Sequence, residues 1–200
     1  MALPNMEFVL DAMDRTPGFF PRNESHRLIE TALRAMAESK PPYYIVEIGS
    51  YVGRTTIGLG HAARFVGKGA KVYAIDPHNG TLTEPLGGLI VGQPTLDGFK
   101  KSISDAGLWD VVELIHQKSY EVVWEKTICM IFIDGLHDYE NVSRDYMHFE
   151  RHLGLGAIVA FHDYTPAFPG VPQFVDELLG KGALRKLELV GNLMITQKCG

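Results

Sequence analysis

One stretch near the start of the chain, YYIVEIGSYVGR at residues 43–54, most constrains the fold. Ile45 and Val46 point to opposite faces of a strand and both are apolar, which is typical of a central parallel strand with helices on both sides. Gly49 and Gly53 follow, and because neither carries a Cβ, the backbone there can approach a ligand closely. The stretch therefore predicts a buried strand, a tight turn and the start of a helix.

A second run rich in apolar residues, KVYAID at residues 71–76, also ends in an acid. A carboxylate at the end of a parallel strand can accept two hydrogen bonds from a ribose diol. Asp76 and the adjoining Pro77 are therefore candidate binding residues. The two strand ends together predict a nucleoside pocket at the carboxyl edge of a parallel sheet.

The turn after the first strand lacks one glycine of the G-x-G-x-x-G pattern, in which peptide N–H groups at a helix start hold a pyrophosphate. Glu47 lies at the strand end instead, and a carboxylate there repels a pyrophosphate and attracts an ammonium or sulfonium group. An acid followed by G-x-x-x-G resembles the first motif of the class I S-adenosylmethionine-dependent methyltransferases. The resemblance implies S-adenosylmethionine (SAM) as the cofactor. The candidate cofactor-binding residues are Glu47, Gly49, Ser50, Gly53, Thr55, Asp76, Pro77, Ser119 and Asp134.

The rest of the chain alternates predicted strands and helices. After the first strand, strands are expected at 71–76, 111–116, 128–134, 157–162, 184–190 and 193–197, and helices at 55–66, 95–106, 120–126, 139–152 and 171–179. Gly191 and Asn192 suit a hairpin turn between the last two strands. A series that ends in a hairpin is similar to the methyltransferase sheet. This implies an α/β, Rossmann-like fold with a seven-stranded sheet, mostly parallel with an antiparallel last strand, and helices on both faces.

The chain is expected to form one domain at residues 41–200, preceded by a helical cap segment at residues 1–40. The main helix of this segment begins near Asn23 or Ser25, which are N-cap candidates. The segment either caps the site or meets a partner subunit in a homodimer. The glycine- and proline-rich segment 77–94 is too long for an ordinary connection, and we predict a lid over the substrate side rather than a plain surface excursion.

A second cluster of polar residues lies in the motifs FIDGLHDY and AFHDY, which both lie at predicted strand ends. The carboxyl ends of neighbouring parallel strands lie close together, so the polar residues of the two motifs are expected to converge. They are Asp134, His137, His162 and Asp163. Carboxylates and imidazoles without thiols suit a hard divalent ion such as magnesium or manganese, and zinc or iron less well. Without a cation such crowding is costly, because like charges raise one another's pKa.

The stretch that joins these motifs is similar to a group of small-molecule methyltransferases with F-I-D-G-x-H-x-Y and H-D signatures. Its layout is also similar to that of the magnesium-dependent catechol and caffeoyl-coenzyme A O-methyltransferases. The resemblance implies that Asp134, His162 and Asp163 hold the metal. His137 lies where those enzymes have a general-base lysine, and is alternatively a metal ligand. His162 stands in place of an aspartate, which weakens the inferred magnesium site.

These residues predict an enzyme that methylates a hydroxyl oxygen of a small molecule by in-line displacement. A divalent cation on Asp134 lowers the pKa of the hydroxyl, and His137, with an unperturbed pKa of about 6.5, takes the proton. Three alternatives stay open. They are a metal-independent methyltransferase with His137 as base, a metal-dependent oxygenase that holds ferrous iron with two histidines and a carboxylate, and a non-catalytic nucleoside-binding module.

Several of these residues also have a structural interpretation. Asp134 would cap the following helix, and Ser50 and Thr55 would cap the helix after the first turn. Asp145, in the middle of a predicted helix, is interpreted as a solvated or structural acid.

The composition argues against several classes of partner. The net charge is −5 and the basic residues are scattered, which disfavours a nucleic-acid partner. No apolar run reaches the roughly 18 residues that a membrane span needs, and the expected location is the cytoplasm. Cys129 and Cys199 form neither a disulfide framework nor a Cys-x-x-Cys metal site.

Overall fold

Nine strands and six α-helices are formed by the residues that a computed structural model describes, which are residue 3 and residues 5–199. The strands are β1 (Tyr44–Ile48), β2 (Lys71–Ile75), β3 (Thr81–Thr83), β4 (Leu89–Val91), β5 (Val112–Ile115), β6 (Ile128–Ile133), β7 (Leu153–Phe161), β8 (Leu184–Val190) and β9 (Leu193–Lys198). The helices are α1 (Met6–Arg15), α2 (Arg22–Glu38), α3 (Arg54–Val66), α4 (Leu96–Asp105), α5 (Tyr139–Phe149) and α6 (Gly170–Gly180).

Seven of the strands form one sheet in the order β5-β2-β1-β6-β7-β9-β8. β1 pairs in parallel with β2 and β6, and β5 and β7 extend the parallel part on either side. β9 runs antiparallel to both β7 and β8. The predicted Rossmann-like α/β fold, with a mostly parallel sheet and an antiparallel last strand, is confirmed. β3 and β4 form a separate antiparallel hairpin within the segment 77–94.

Helices cover both faces of the sheet, and each face has its own apolar layer. Leu28 of α2 belongs to the first layer, and Val142 of α5 and Val171 of α6 belong to the second. In β1, Ile45 enters the first layer and Val46 the second, which explains why neighbouring residues of this strand are both apolar. None of the helices among the described residues is both long and apolar enough to cross a bilayer.

The helix predicted at 120–126 is wrong. A 3₁₀ turn forms at Ser119–Glu121, and the chain then continues without regular structure to β6. Two adjacent valines after the turn disfavour a helix because of their restricted side-chain rotamers. Trp124 is buried there, with its ring centroid 4.8 Å from that of Tyr73 and 5.9 Å from that of Phe149. This packing holds the segment in an extended path across the second apolar layer.

The strand predicted at 157–162 begins four residues earlier than expected, at Leu153. Gly154 and Gly156 hid the first part of the strand, because glycine is depleted in strands. The pairing of β6 with β7 contains a register shift at this end, and Gly156 has a positive φ of 75°. The irregular beginning leaves the carboxyl end of β7 in the predicted position.

The predicted cap segment contains two helices. α2 begins at Arg22, directly after Pro21, and not at Asn23 or Ser25 as the capping pattern predicted. Proline fixes its φ near the value that a helix start requires, which explains the earlier beginning. α1 packs against α2 and α3. Residues 1, 2 and 4 of the predicted cap segment, and residue 200 of the predicted domain, lie outside the described residues.

Replacement of Gly170 by alanine is expected to destabilise the fold. A Cβ at this first residue of α6 would lie 2.2 Å from the backbone nitrogen of Tyr139. The two helix starts would have to move apart, and overpacking of this kind costs about 1–3 kcal/mol. Urea denaturation measures the loss. The matched control is Gly180→Ala at the other end of α6, where a Cβ meets nothing within 4 Å and the better helix propensity of alanine predicts equal or higher stability. Equal stability of the two variants would contradict the packing argument.

Candidate active site

Two cavities open at the carboxyl ends of the parallel strands. Cavity A has a volume of about 360 Å³ and lies over the ends of β1 and β2. Cavity B has a volume of about 430 Å³ and is walled partly by the link between α1 and α2. The residues that line both cavities are Gly49, Tyr51, Leu82, Asp134 and Gly135. Asp134 therefore lies where the two cavities meet.

The backbone after β1 is held tightly against the end of β6. Gly49 has a φ of 87°, and a Cβ there would lie 2.1 Å from the carbonyl oxygen of Asp134. The N–H of Gly49 donates to the carbonyl oxygen of Ile75 at 3.0 Å, and the N–H of Asp134 donates to that of Ile48 at 2.8 Å. Only glycine allows this approach, so the first glycine of the motif is required by the fold as well as by any ligand.

Asp76 ties the end of β2 to the turn after β1. One carboxylate oxygen accepts a hydrogen bond from the N–H of Tyr51 at 2.8 Å, and the other accepts one from the N–H of His78 at 2.6 Å. Asp76 and Pro77 both line cavity A. Each carboxylate oxygen keeps a further lone pair, so the group can still accept hydrogen bonds from a ligand.

Ser119 and Asp145 form a buried pair in the wall of cavity A. The Ser119 hydroxyl donates to the Asp145 carboxylate. Burial raises the pKa of Asp145 to about 6, although the hydrogen bond from Ser119 opposes this. Of the two interpretations of Asp145, a solvated or a structural acid, the structure supports the structural one, since Asp145 is 6% exposed and accepts the hydrogen bond from Ser119. Its helical spacing from the buried Val142 and Phe149 is the sequence signal that could have revealed the burial.

The remaining predicted cofactor residues lie at different depths around the turn. Ser50 and Thr55 line cavity B, and the buried Ser50 hydroxyl has no hydrogen-bond partner among the described residues. Gly53 lies beside Phe99 and outside both cavity walls. Of Glu47, Ser50, Gly53 and Thr55, two therefore reach a cavity wall, namely Ser50 and Thr55.

Glu47 is fully buried beneath the turn and lines neither cavity. One of its oxygens accepts a hydrogen bond from the Thr56 hydroxyl, and the other has no partner among the described residues. Burial raises the pKa of Glu47 to about 7, against the hydrogen bond from Thr56, which favours the charged form. Glu47 is thus close to the point at which it changes charge at neutral pH.

The four polar residues predicted to converge do so on the wall of cavity B. His162 Nδ1 lies 3.0 Å from Asp134 Oδ1 and 3.4 Å from Asp163 Oδ2. His137 Nε2 lies 3.4 Å and 3.3 Å from the same two carboxylate atoms. Asp163 adopts a positive φ of 53°, an uncommon conformation for a non-glycine residue. In this conformation the Asp163 carboxylate lies between the imidazoles of His137 and His162.

Glu24 of α2 completes the cluster, although it was not among the predicted site residues. Its Oε2 lies 2.9 Å from His162 Nε2, and its Oε1 accepts a hydrogen bond from the Asn192 N–H at 2.9 Å. It is 2% exposed. Its position in the first turn of α2 is that of an ordinary acid at a helix start. No local pattern therefore distinguished it.

The charges of the cluster stabilise one another. Burial favours the neutral form of His162, but the charge of Asp134 and hydrogen bonds to three carboxylate partners outweigh it and raise the pKa of His162 to about 12. Burial likewise favours neutral Asp134, but the two neighbouring histidines lower its pKa to about 2. The half-buried Asp134 and the buried His162 therefore form an ion pair.

The same atoms fit a divalent cation. Asp134, His162 and Asp163 each offer one ligand atom, and these atoms all lie within 4.8 Å of one another. His137 is half-buried, but its Nε2 is buried and has no hydrogen-bond partner among the described residues, although two carboxylates face it. Such a donor set of carboxylate oxygens and imidazole nitrogen suits manganese and magnesium, and its imidazole part also accepts zinc.

Aromatic side chains and the β3–β4 hairpin form the rest of cavity B. Phe20 is buried with its ring centroid 4.7 Å from that of His162, whereas Phe19 is 79% exposed at the cavity wall. The hairpin contributes Leu82 to both cavities, and its Thr83 hydroxyl accepts a hydrogen bond from the His137 N–H at 2.9 Å. The segment 77–94 thus lies against the site, as the lid interpretation requires.

Comparison with known proteins identifies a family. A family model described as a methyltransferase domain matches residues 46–164. This segment contains the turn after β1 and the cluster from Asp134 to Asp163, and it leaves out α1, α2 and the final hairpin.

Solved structures show the same fold. The O-methyltransferase NovP superimposes with a TM-score of 0.75 at 16% identity, over 98% of this chain and 100% of that one. The methyltransferase PaMTH1 of Podospora anserina, bound to SAH, gives 0.72 at 13% identity, over 100% and 90% of the two chains. An O-methyltransferase from Bacillus cereus in complex with SAH gives 0.64 at 16% identity, over 98% and 90%. The likeness covers nearly the whole chain, including the helices outside the family model.

Replacement of Glu47 by glutamine is expected to raise stability above neutral pH. The folded state holds a proton on Glu47 up to a pKa of about 7, against an ordinary value of 4.5. The unfolding free energy of the wild type therefore falls as the pH rises through this window, by up to about 3 kcal/mol at 1.36 kcal/mol per pKa unit. Glutamine does not ionise, so the unfolding free energy of the variant has no such loss.

Urea denaturation at pH 4.5, 6 and 8 measures the difference between wild type and Glu47→Gln. Glu125→Gln, at an exposed position, is the matched control and is expected to follow the wild type. A Glu47→Gln curve parallel to that of the wild type at all three pH values would contradict the raised pKa.

Proposed function

We propose, since the chain belongs to the family of methyltransferase-domain proteins, that it transfers a methyl group from SAM to a hydroxyl oxygen of a small molecule. The observation that carries the proposal is the meeting of cavities A and B at Asp134. Methyl transfer needs a donor and an acceptor side by side, and two adjoining cavities supply such an arrangement. The structural neighbours described as O-methyltransferases support oxygen as the accepting atom.

Cavity A is the proposed SAM site. Asp76 lies at the end of β2 with free lone pairs for a ribose, and Pro77 and Ser119 lie beside it for the adenine. Gly49 allows a ligand to approach the backbone after β1. The two neighbours solved with SAH support this choice of cofactor.

The amino-acid end of SAM is proposed to extend from cavity A towards the start of α3. Ser50 offers a buried hydroxyl without a partner among the described residues, and Thr55 lies next to it on the wall of cavity B. Gly53 carries no Cβ and so keeps the turn narrow. Glu47 lies beneath the turn, and its negative charge is proposed to favour the cationic cofactor. The N–H groups at the start of α3 have no side-chain cap, and the start of a helix favours a carboxylate.

Cavity B is the proposed acceptor site. Its walls combine apolar aromatic rings with the polar cluster, which suits a small molecule that has an apolar body and a hydroxyl group. The exposed Phe19 and the β3–β4 hairpin form part of the cavity wall, so they are placed to cover a bound acceptor. A closed site aligns oxygen, methyl and sulfur, and alignment can be worth roughly 7–11 kcal/mol.

Asp134, His162 and Asp163 are the proposed ligands of a divalent cation, which when bound would lower the pKa of the acceptor hydroxyl. His137 is the proposed general base. Its Nε2 is buried in the cluster without a hydrogen bond among the described residues, and a hydroxyl within reach could give it a proton. Asp134 lies where the two cavities meet, and we propose that it aligns the acceptor hydroxyl with the methyl group of SAM.

A metal-independent methyltransferase is the second candidate, and one observation favours it. The imidazolium of His162 already compensates the charge of Asp134, so the cluster can exist without a cation. His137 would then act as base alone. An oxygenase on this scaffold has no support from the family match. The division at residue 40, the homodimer and the cytoplasmic location stay predictions.

Replacement of Asp76 by asparagine is expected to weaken SAH binding about tenfold or more. A hydrogen bond to a charged group contributes about 1.5–3 kcal/mol, and 1.4 kcal/mol corresponds to a factor of ten. Titration calorimetry with SAH measures the change. Asp110→Asn is the control, because this exposed acid pairs with Arg64 and precedes β5 at the opposite edge of the sheet. Uptake of NAD⁺ by the wild type and none of SAH would refute the cofactor assignment.

Replacement of Asp163 by asparagine is expected to abolish Mn²⁺ binding and leave SAH binding within about twofold of the wild type, because Asp163 lines cavity B and not cavity A. Asp105→Asn, an exposed acid on α4, is the control. With an acceptor identified by screening hydroxylated small molecules, EDTA should lower methyl transfer by at least about tenfold, since charge stabilisation by a metal contributes several kcal/mol. Full activity in EDTA would favour the metal-independent candidate.

A further inference from the structure

We propose that Glu24 is a positioning residue that fixes the imidazole of His162, so that Nδ1 and not Nε2 serves as the nitrogen ligand of a divalent cation. The inference rests on the cation role in the proposed function. It assigns a task to a residue of α2 that lies before the segment matched by the family model.

The two ring nitrogens of His162 have different carboxylate neighbours. Nε2 of His162 lies 2.9 Å from Glu24 Oε2. Nδ1 lies 3.0 Å from Asp134 Oδ1 and 3.4 Å from Asp163 Oδ2. One side of the ring therefore faces a single carboxylate on a helix, and the other side faces the two carboxylates that lie on the wall of cavity B. Asp134 and Asp163, which are the neighbours of Nδ1, belong to the candidate cation site, and Glu24, the neighbour of Nε2, does not.

The second contact of Glu24 makes its orientation definite. Oε1 accepts the Asn192 N–H at 2.9 Å, in the turn between β8 and β9. A Cβ at Gly191 would lie 2.0 Å from this oxygen, so the turn closes directly over the carboxylate. The remaining oxygen, Oε2, then has one direction left, towards His162. Glu24 thus accepts one hydrogen bond from each side, and these two contacts fix its orientation.

An acceptor at Nε2 determines the tautomer of the ring. Without a cation both ring nitrogens face carboxylates, which only accept hydrogen bonds, so both nitrogens carry a proton. A cation held by Asp134 and Asp163 would replace the proton on Nδ1, whereas Glu24 keeps the proton on Nε2, so Nδ1 is the nitrogen that would offer its lone pair. Hydrogen bonds from the far nitrogen of a ligating histidine to a carboxylate orient the ring and raise its basicity in other metal sites. Phe20 holds the ring from one face, with the centroids 4.7 Å apart.

Replacement of Glu24 by glutamine tests this role with almost no change in shape. The amide has one oxygen and one NH₂ group. If the oxygen keeps the Asn192 N–H, the NH₂ group faces Nε2 and can only donate to it. Nε2 then has no proton, Nδ1 has to keep its own, and the lone pair that a cation would use is lost. Glu24→Gln is therefore expected to weaken Mn²⁺ binding about 10–100-fold in titration calorimetry, with SAH binding unchanged.

Ser25→Ala is the matched control on the same helix. Its hydroxyl is also fully buried but has no hydrogen-bond partner among the described residues. This variant is expected to bind Mn²⁺ like the wild type. If both variants lose Mn²⁺ affinity equally, Glu24 acts through the stability of α2 and the positioning role is wrong.

Nitrogen-15 NMR of the wild type gives a readout that does not depend on folding of a variant. With histidine labelled in the ring and Zn²⁺ added, the His162 signals should show a ligated Nδ1 and a protonated Nε2. Ligation at Nε2 would overturn the inference. A wild type that binds SAH but neither Mn²⁺ nor Zn²⁺ would also overturn it and leave methyl transfer standing, whereas binding of a cation without SAH would refute the proposed function instead.

Discussion

The close approach of the turn after β1 to the end of β6 is the constraint on which the site depends. Gly49 takes a positive φ and leaves no space for a Cβ beside the Asp134 carbonyl. This contact joins the loops of two neighbouring strands, and Asp134 reaches the junction of cavities A and B because of it. A motif glycine is often attributed to the ligand alone. Here the protein's own backbone already requires it.

The second constraint is the crowding of charge at the ends of β6 and β7. Three carboxylates, from Glu24, Asp134 and Asp163, lie around the His162 ring. Buried charges are costly unless they are paired and hydrogen-bonded, and the ring provides a donor or a ligand atom on each side. Removal of one partner would leave a charge uncompensated, which makes the cluster a unit rather than a set of independent residues.

The sequence predicted the sheet and most of the site because both depend on local patterns. Buried parallel strands produce continuous apolar runs, and polar residues directly after such runs must lie at one edge of the sheet. Asp76, Asp134 and His162 were found in this way. The pattern failed where packing replaces periodicity. Trp124 holds an extended path in which a helix was predicted, and Gly154 hid the beginning of β7. For Asp145 the sequence left a solvated and a structural role open, because its charge favours solvent while its spacing places it on the buried face of α5.

Glu24 could not be predicted, because its two partners lie 138 and 168 residues away along the chain. Nothing in the first turn of α2 tells whether an acid there faces solvent or the core. Its contacts also bear on the division of the chain at residue 40. A separate cap segment would contribute only a cover, whereas α2 contributes a buried carboxylate that contacts both His162, directly after β7, and the turn of the final hairpin. Arg54 at the start of α3 likewise pairs with Asp14 of α1. The first forty residues and the sheet therefore share the polar contacts of the site, and a cut between them would remove part of the site with the segment.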